Sequence, residues 1–179
     1  MPESIVIYMG CGRKEKTMLS KKMEAEFNAQ INKEMYSAYL YLAMSTYCAN
    51  VGCCGYASWL KVQAQEEMEH AMKMYDYILE RGGNVVLEAI EKPQAQWNNL
   101  LDVCENVLKH EQYVTSCINH LMEVAIEEKD YASNSFLTWY VNEQIEEEAN
   151  ADELYRKTKF AGDDKNAILL LNEKLSERK

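Results

Sequence analysis

Glu66-Glu67-Met68-Glu69-His70 is the stretch on which the reading of this chain turns. Within it, Glu67 and His70 stand three positions apart. On a helix, positions i and i+3 share a face, so a carboxylate and an imidazole so placed can reach one metal ion. A single Glu-x-x-His also arises on the solvated face of many acidic helices. Its meaning therefore rests on what the neighbouring segments carry at the same level.

The stretch lies inside a helical pattern from about Tyr56 to Arg81, whose inward row is Tyr56, Leu60, Ala64, Glu67, Ala71, Met74 and Ile78. Gly82-Gly83 supplies its stop. Upstream, a helix is expected from about Ser20 to Asn50, with Ser20 as N-cap and the row Phe27, Ile31, Glu34, Ala38, Tyr41, Ser45. Asn50-Val51-Gly52-Cys53-Cys54-Gly55 separates the two. A break this short returns the chain antiparallel.

Downstream, residues from about Asn84 to Gln96, with Pro93 among them, carry no helical pattern. A loop of this length needs a reason. A helix of about 26 residues is roughly 40 Å long, and about 13 extended residues cover a similar distance. The segment can thus carry the chain back along a whole bundle, making the next helix parallel to the one before. That third helix runs from about Asn98 to Ile126 with the row Leu100, Cys104, Val107, Glu111, Val114, Ile118, Leu121, Ala125. After the polar turn Glu127-Glu128-Lys129-Asp130, a fourth runs from about Tyr131 to Phe160 with the row Leu137, Tyr140, Gln144, Glu147, Ala151, Leu154. Gly162 stops it, Asp163 or Asp164 caps the next, and a short fifth helix follows to about Leu175. The expected fold is all-α: a four-helix bundle with a long crossover between the second and third helices.

Composition agrees. With 179 residues the chain is long enough for one domain with a sizeable core, and 7 Gly with only 2 Pro leave room for long unbroken helices. A formal net charge of -10 argues against nucleic acid or an anionic membrane as partner and suits attraction of cations. No apolar run is long enough to span a membrane. Cys11, Cys48, Cys53, Cys54, Cys104 and Cys117 form no C-x-x-C pair, and are read as free thiols in a reducing cytoplasm. His110 and His120 read as helix-surface or interface histidines, and Trp59, Trp97 and Trp139 as packing.

Each long helix thus places one glutamate in its apolar row: Glu34, Glu67, Glu111 and Glu147, joined by His70 and Gln144. A buried carboxylate without a partner costs several kcal/mol and tends to take up a proton. Four in one dry core would be strongly destabilising; a pair of metal ions removes the problem by neutralising them. This is the logic of inward carboxylates and Glu-x-x-His in di-metal bundles. One nitrogen among many oxygens suits iron or manganese better than zinc. Glu67 can bridge two ions, with Glu34 and His70 completing one and Glu111 and Glu147 the other. Gln144 can bind weakly or hold a water, and Tyr41, on the face of Glu34, can hydrogen-bond a ligand or donate an electron. Glu66, Glu143 and Glu146 lie beside this set as a third, wetter cation site or a solvated face.

At this point the chain resembles the bacterial-type non-haem ferritins, from about Met18 to Leu175. The residues that carry the likeness are Asn32-Lys33-Glu34-Met35-Tyr36, Gln65-Glu66-Glu67-Met68-Glu69-His70, Lys109-His110-Glu111-Gln112 and Trp139-Tyr140-Val141-Asn142-Glu143-Gln144-Ile145-Glu146-Glu147-Glu148. The resemblance implies a ferroxidase centre in which Glu34, Glu67 and His70 hold a first iron, and Glu67, Glu111 and Glu147 a second, with Gln144 nearby. It matches Glu66, Glu143, Glu146 and Glu147 to a third iron site and Tyr41 to a tyrosine next to the centre. It further implies oxidation of Fe(II) by O2 or peroxide, no haem, and a hollow shell of 24 identical chains storing ferric mineral. Glu127, Glu128 and Asp130 are pore candidates.

Rival patterns fit less well. A bacterioferritin needs a second Glu-x-x-His, but Glu111 is followed three positions on by Val114 and Glu147 by Asn150. A rubrerythrin-like peroxidase would carry a C-x-x-C pair. A metal-free helical interaction protein would explain the helices but not four inward glutamates. Residues 1–17, with Gly10-Cys11-Gly12-Arg13-Lys14-Glu15-Lys16 after a short apolar run, read as a disordered extension outside the domain at 18–179.

Overall fold

The computed structural model describes residues 18–178, so the expectation for residues 1–17 lies outside the described part. Five helices follow in order: α1 (Lys21–Asn50), α2 (Cys54–Glu80), α3 (Leu100–Glu127), α4 (Tyr131–Ala161) and α5 (Lys165–Leu175). Among the described residues there is no strand, and no helix is long and apolar enough to cross a membrane.

The helix starts follow local capping chemistry. Ser20, Asn99, Asp130 and Asp164 each accept a backbone N–H of the first turn through the side chain, satisfying donors that a helix start leaves open. Two boundaries differ from expectation for this reason. Asn99 caps α3, so that helix opens at Leu100 rather than at about Asn98. The start of α2 has no side-chain cap from Cys53, yet α2 begins at Cys54. Its cap comes from far away: Asn172 on α5 accepts from the backbone N–H of Gly55 at 2.7 Å and of Tyr56 at 3.4 Å.

The helices form two hairpins. Leu19 at the start of α1 meets Arg81 at the end of α2 through a backbone hydrogen bond of 3.3 Å. Across α2 and α4, the hydroxyls of Tyr56 and Thr158 lie 2.9 Å apart and those of Tyr77 and Ser133 3.0 Å apart. The two helices are therefore antiparallel. Since α3 and α4 also pack as a hairpin, α2 and α3 run parallel, as the long crossover requires. That crossover runs along α1 rather than through solvent. Asn28 donates to the Asn84 carbonyl and accepts from Val86 N–H, Asn32 donates to the Ala89 carbonyl, and Trp97 packs edge-on against Tyr47.

The apolar core forms two blocks. One holds Met23, Phe27, Ile31, Met74, Ile78, Ile118, Leu121 and Leu137. The other holds Tyr41, Met44, Tyr56, Leu60, Val107 and Leu154. Burying each large side chain contributes about 1.5–3 kcal/mol. Leu100, expected on the inward row, is only half-buried. Between the blocks lies a layer of polar side chains.

Candidate metal centre

The layer sits at mid-height because Glu34, Glu67, Glu111 and Glu147 each fall in the buried row of their own helix, flanked by apolar residues on the turns before and after. Glu34, Glu67, His70, Glu111, Gln144 and Glu147 are at most 5 % exposed. Such burial of acidic groups is unusual unless something compensates it.

The compensation supplied by the protein is incomplete. Glu34 Oε1 accepts from Gln30 Nε2 at 2.8 Å, and Glu147 Oε2 from Gln63 Nε2 at 2.7 Å. Tyr41 donates its hydroxyl to Glu111 Oε1, and Gln144 Nε2 lies 3.4 Å from Glu111 Oε2. Glu34 Oε2 and Glu67 Oε2 are buried with no hydrogen-bond partner. His70 Nδ1 is 3.7 Å from Glu67 Oε2, too far for a hydrogen bond.

Two groups of donor atoms converge, each within 4.8 Å of one another: Glu34, Glu67 and His70, and His70, Glu143 and Glu147. Donors on opposite sides of an ion bound at about 2.1 Å stand about 4.2 Å apart, so small side-chain movements bring either group to bonding distance. His70 is steered by aromatic edges, with ring centroids 5.4 Å from Trp139 and 6.0 Å from Tyr140. The Trp139 ring is itself covered by Lys73 Nζ at 3.2 Å.

The electrostatics express the same shortfall. Burial, followed by the charges of Glu34 and Glu111, holds the Glu67 carboxyl well above the usual carboxylate range. Burial pushes Glu111 up to about 8 against the opposing hydrogen bond from Tyr41. It pushes Glu147 up to about 7 against that from Gln63. Burial and the Glu111 charge hold Tyr41 well above its ordinary value, so Tyr41 stays a neutral donor. A set of carboxyls that hold protons for want of a cation can exchange those protons for one.

A family model described as a ferritin-like domain matches residues 24–161. The chain belongs to the ferritin family. It is 42% identical over 161 residues to a bacterial non-heme ferritin of Bacteroides fragilis, covering 90% of this chain and 100% of that one. It is 41% identical to the one of Campylobacter jejuni, covering 87% and 93%. Among solved structures it resembles an open-pore ferritin from the hyperthermophilic archaeon Archaeoglobus fulgidus, with a TM-score of 0.89, 48% identity, and 90% and 99% of the two chains covered. The bundle, its long crossover and the non-haem bacterial branch expected from the sequence agree with this ferritin assignment.

Not every residue singled out in the sequence lies where expected. Glu111 stands outside both convergent groups, paired with Tyr41 and Gln144. Glu66 is half-buried and turned to Arg178, and Glu146 is exposed. His110, expected on a surface or interface, is half-buried between α1 and α3. Its Nε2 is 2.7 Å from Ser37 Oγ, and burial pushes it down to about 4, so its ring is neutral. Of the pore candidates, Asp130 forms a two-pronged ion pair with Arg81 at 3.1 Å while capping α4, and Glu127 pairs with Lys22 at 2.8 Å. Glu128 is exposed.

Sequence reasoning missed Gln30 and Gln63, which carry half of the hydrogen bonds in the layer. For Gln30 the signal was there, since it precedes Glu34 by four positions, the spacing of helix neighbours; Gln63 bonds instead to Glu147 on α4, a contact that spacing does not encode. For Arg178 no local signal exists, because its contacts are made by the tail folding back.

Proposed function

We propose that this ferritin takes up Fe(II), oxidises it in the buried carboxylate layer with O2 or peroxide, and stores the ferric product inside a hollow shell of 24 identical chains. The observation that carries the reading is the pair of buried, partnerless oxygens on Glu34 and Glu67 beside His70. Iron here is substrate and cargo. Glu34, Glu67 and His70 receive one ion; Glu67, Glu111 and Glu147 receive the other, with Gln144 at its side. Glu143 and Glu147, with Glu66 and Glu146 at the rim, form the third and wetter site.

The protein's part is geometry and charge. Ferrous ions displace the protons held on Glu67, Glu111 and Glu147. Tyr41 keeps Glu111 oriented, Gln63 keeps Glu147 oriented, and the two apolar blocks exclude water above and below. Two ferrous ions supply two electrons; O2 takes them with two protons and leaves as hydrogen peroxide, and peroxide as oxidant leaves as water. No haem is part of this reading. The net charge of -10 favours cation approach, and a cytoplasmic location belongs to the same reading.

The test is iron retention. Excess Fe(II) is added in air, the sample is passed over a sizing column, and iron is measured in the protein peak. Many irons per chain travelling with a particle of many subunits is the expected result. A few irons per chain on a small oligomer would keep the oxidation centre and remove storage. No iron in any protein peak would remove both.

A further inference from the structure

Arg178 follows α5 and reaches back to the edge of the carboxylate layer. Its guanidinium donates to Glu66 Oε2 at 2.6 Å and to Gln63 Oε1, and its central carbon lies over the Trp59 ring, 4.7 Å from the centroid. The side chain is only 23% exposed. A planar fork that satisfies a carboxylate and an amide oxygen while lying over an indole is a use that lysine cannot reproduce.

The contact to Gln63 extends further in. Gln63 is fully buried and has two amide ends. Its oxygen is occupied by Arg178, so its N–H points to Glu147 Oε2 at 2.7 Å. Without the guanidinium the amide oxygen loses its donor, and the bond to Glu147 alone holds the amide. The contact to Glu66 acts on charge. Arg178 places a permanent cation on the acidic rim formed by Glu66 with Glu143 and Glu147.

We propose that Arg178 acts as a built-in competitor at the rim of the layer: it occupies Glu66 with a cation of the chain's own that an incoming metal ion has to displace. The inference rests on the functional reading above for the identity of that ion. It assigns to the tail after α5 a competitive hold on the rim, so the buried group of Glu34, Glu67 and His70 fills first and the rim only once the tail lets go.

The experiment is calorimetric titration of the assembled, metal-free protein with Zn(II), which does not change oxidation state, for the native chain, Arg178→Gln, Arg178→Lys, Glu66→Gln and the double variant Arg178→Gln/Glu66→Gln. Arg178 lies after α5 and outside both apolar blocks, so its variants test contacts rather than folding. Arg178→Gln is expected to strengthen the weaker Zn(II) step about tenfold, the scale of a charge-assisted hydrogen bond, and to leave the tight step within about twofold. Arg178→Lys should fall between. With Glu66→Gln in place, Arg178→Gln should no longer strengthen the weaker step. A weaker step unmoved in Arg178→Gln, while the tight step binds normally, overturns the inference and leaves the functional reading standing. Absence of any Zn(II) binding in the native chain overturns both.

Discussion

Glu34 and Glu67, on adjacent antiparallel helices, each present one buried carboxylate oxygen to which nothing donates. The arrangement is unfavourable in the metal-free chain, where burial and the neighbouring Glu34 leave Glu67 holding a proton. Two apolar blocks fix the four helices on either side, and the layer between them is held open at their expense. Functional sites concentrate such local conflicts.

A pH dependence follows directly. Folded Glu111 keeps its proton up to about 8 and Glu147 up to about 7, whereas in the unfolded chain both release it near the ordinary value of about 4.3. Between these limits the two carboxyls bind more protons in the folded state and make metal-free stability fall as pH rises, while neutral His110, held down to about 4, opposes them below its unfolded value of about 6.5. The net decline is therefore expected from about 6.5 to about 8. Over that range the decline should amount to about 2–3 kcal/mol, at about 1.36 kcal/mol per pH unit for each carboxyl still protonated in the fold. The carboxylates held low, such as Asp130 and Glu24, act only below this window. Urea unfolding of chelator-treated protein across that range checks it. With Zn(II) bound the slope should flatten or reverse. A metal-free midpoint that climbs with pH would falsify the account of the layer.

Tyr41 is the one hydroxyl donor to Glu111 from α1. Tyr41→Phe leaves a buried acceptor without its donor, at a cost of about 1–3 kcal/mol. Because that hydrogen bond opposes the upward push on Glu111, the variant should hold its proton to still higher pH. Fe(II) oxidation by Tyr41→Phe is then expected to be several-fold slower near neutrality and to recover toward alkaline pH. Stopped-flow rates across pH decide it: a rise in rate through neutrality at the same pH as in the native protein would sink the idea.

Much of this was legible in the sequence. The rows through Glu34, Glu67, Glu111 and Glu147 are periodic with the apolar residues around them, and a helix of known pitch turns that periodicity directly into burial. The length of the crossover decided the parallel relation of α2 and α3. What escaped were contacts between residues far apart in the chain. Asn172 capping α2, Arg178 on Gln63 and Glu66, and Arg81 on Asp130 depend on tertiary placement, which no local pattern encodes. Gln63 on Glu147 belongs with these, whereas Gln30 was hidden for another reason: a glutamine four residues before a glutamate reads as an exposed polar pair unless burial of both is already known.

The capping of α2 by α5 gives a prediction about assembly of the bundle end. A Cβ added at Gly55 would lie 1.7 Å from the backbone oxygen of Asn172. Neither backbone can yield without α5 moving, so Gly55→Ala should displace α5 and lower stability by about 2–4 kcal/mol. Asn172→Ala removes only the cap and should cost about 1 kcal/mol. Thermal unfolding of the two variants should rank them in that order; equal, negligible effects would mean that α5 does not hold the start of α2.

Thiol reactivity separates burial from chemistry. Burial pushes the Cys48 and Cys104 thiols up to about 12, and Cys117 is buried too, while Cys54 is exposed and Cys53 lies between. The thiolate is the reactive form, and a thiol that is both shielded and protonated reacts only after the structure opens. Brief alkylation of the native protein at neutral pH, read by peptide mass mapping, should therefore modify Cys54 and leave Cys48 and Cys104 untouched, whereas in urea all of them react. Modification of Cys104 at a rate comparable to Cys54 in the native state would mean that the second apolar block opens readily, and that the layer above it is not shielded from water as the chemistry requires.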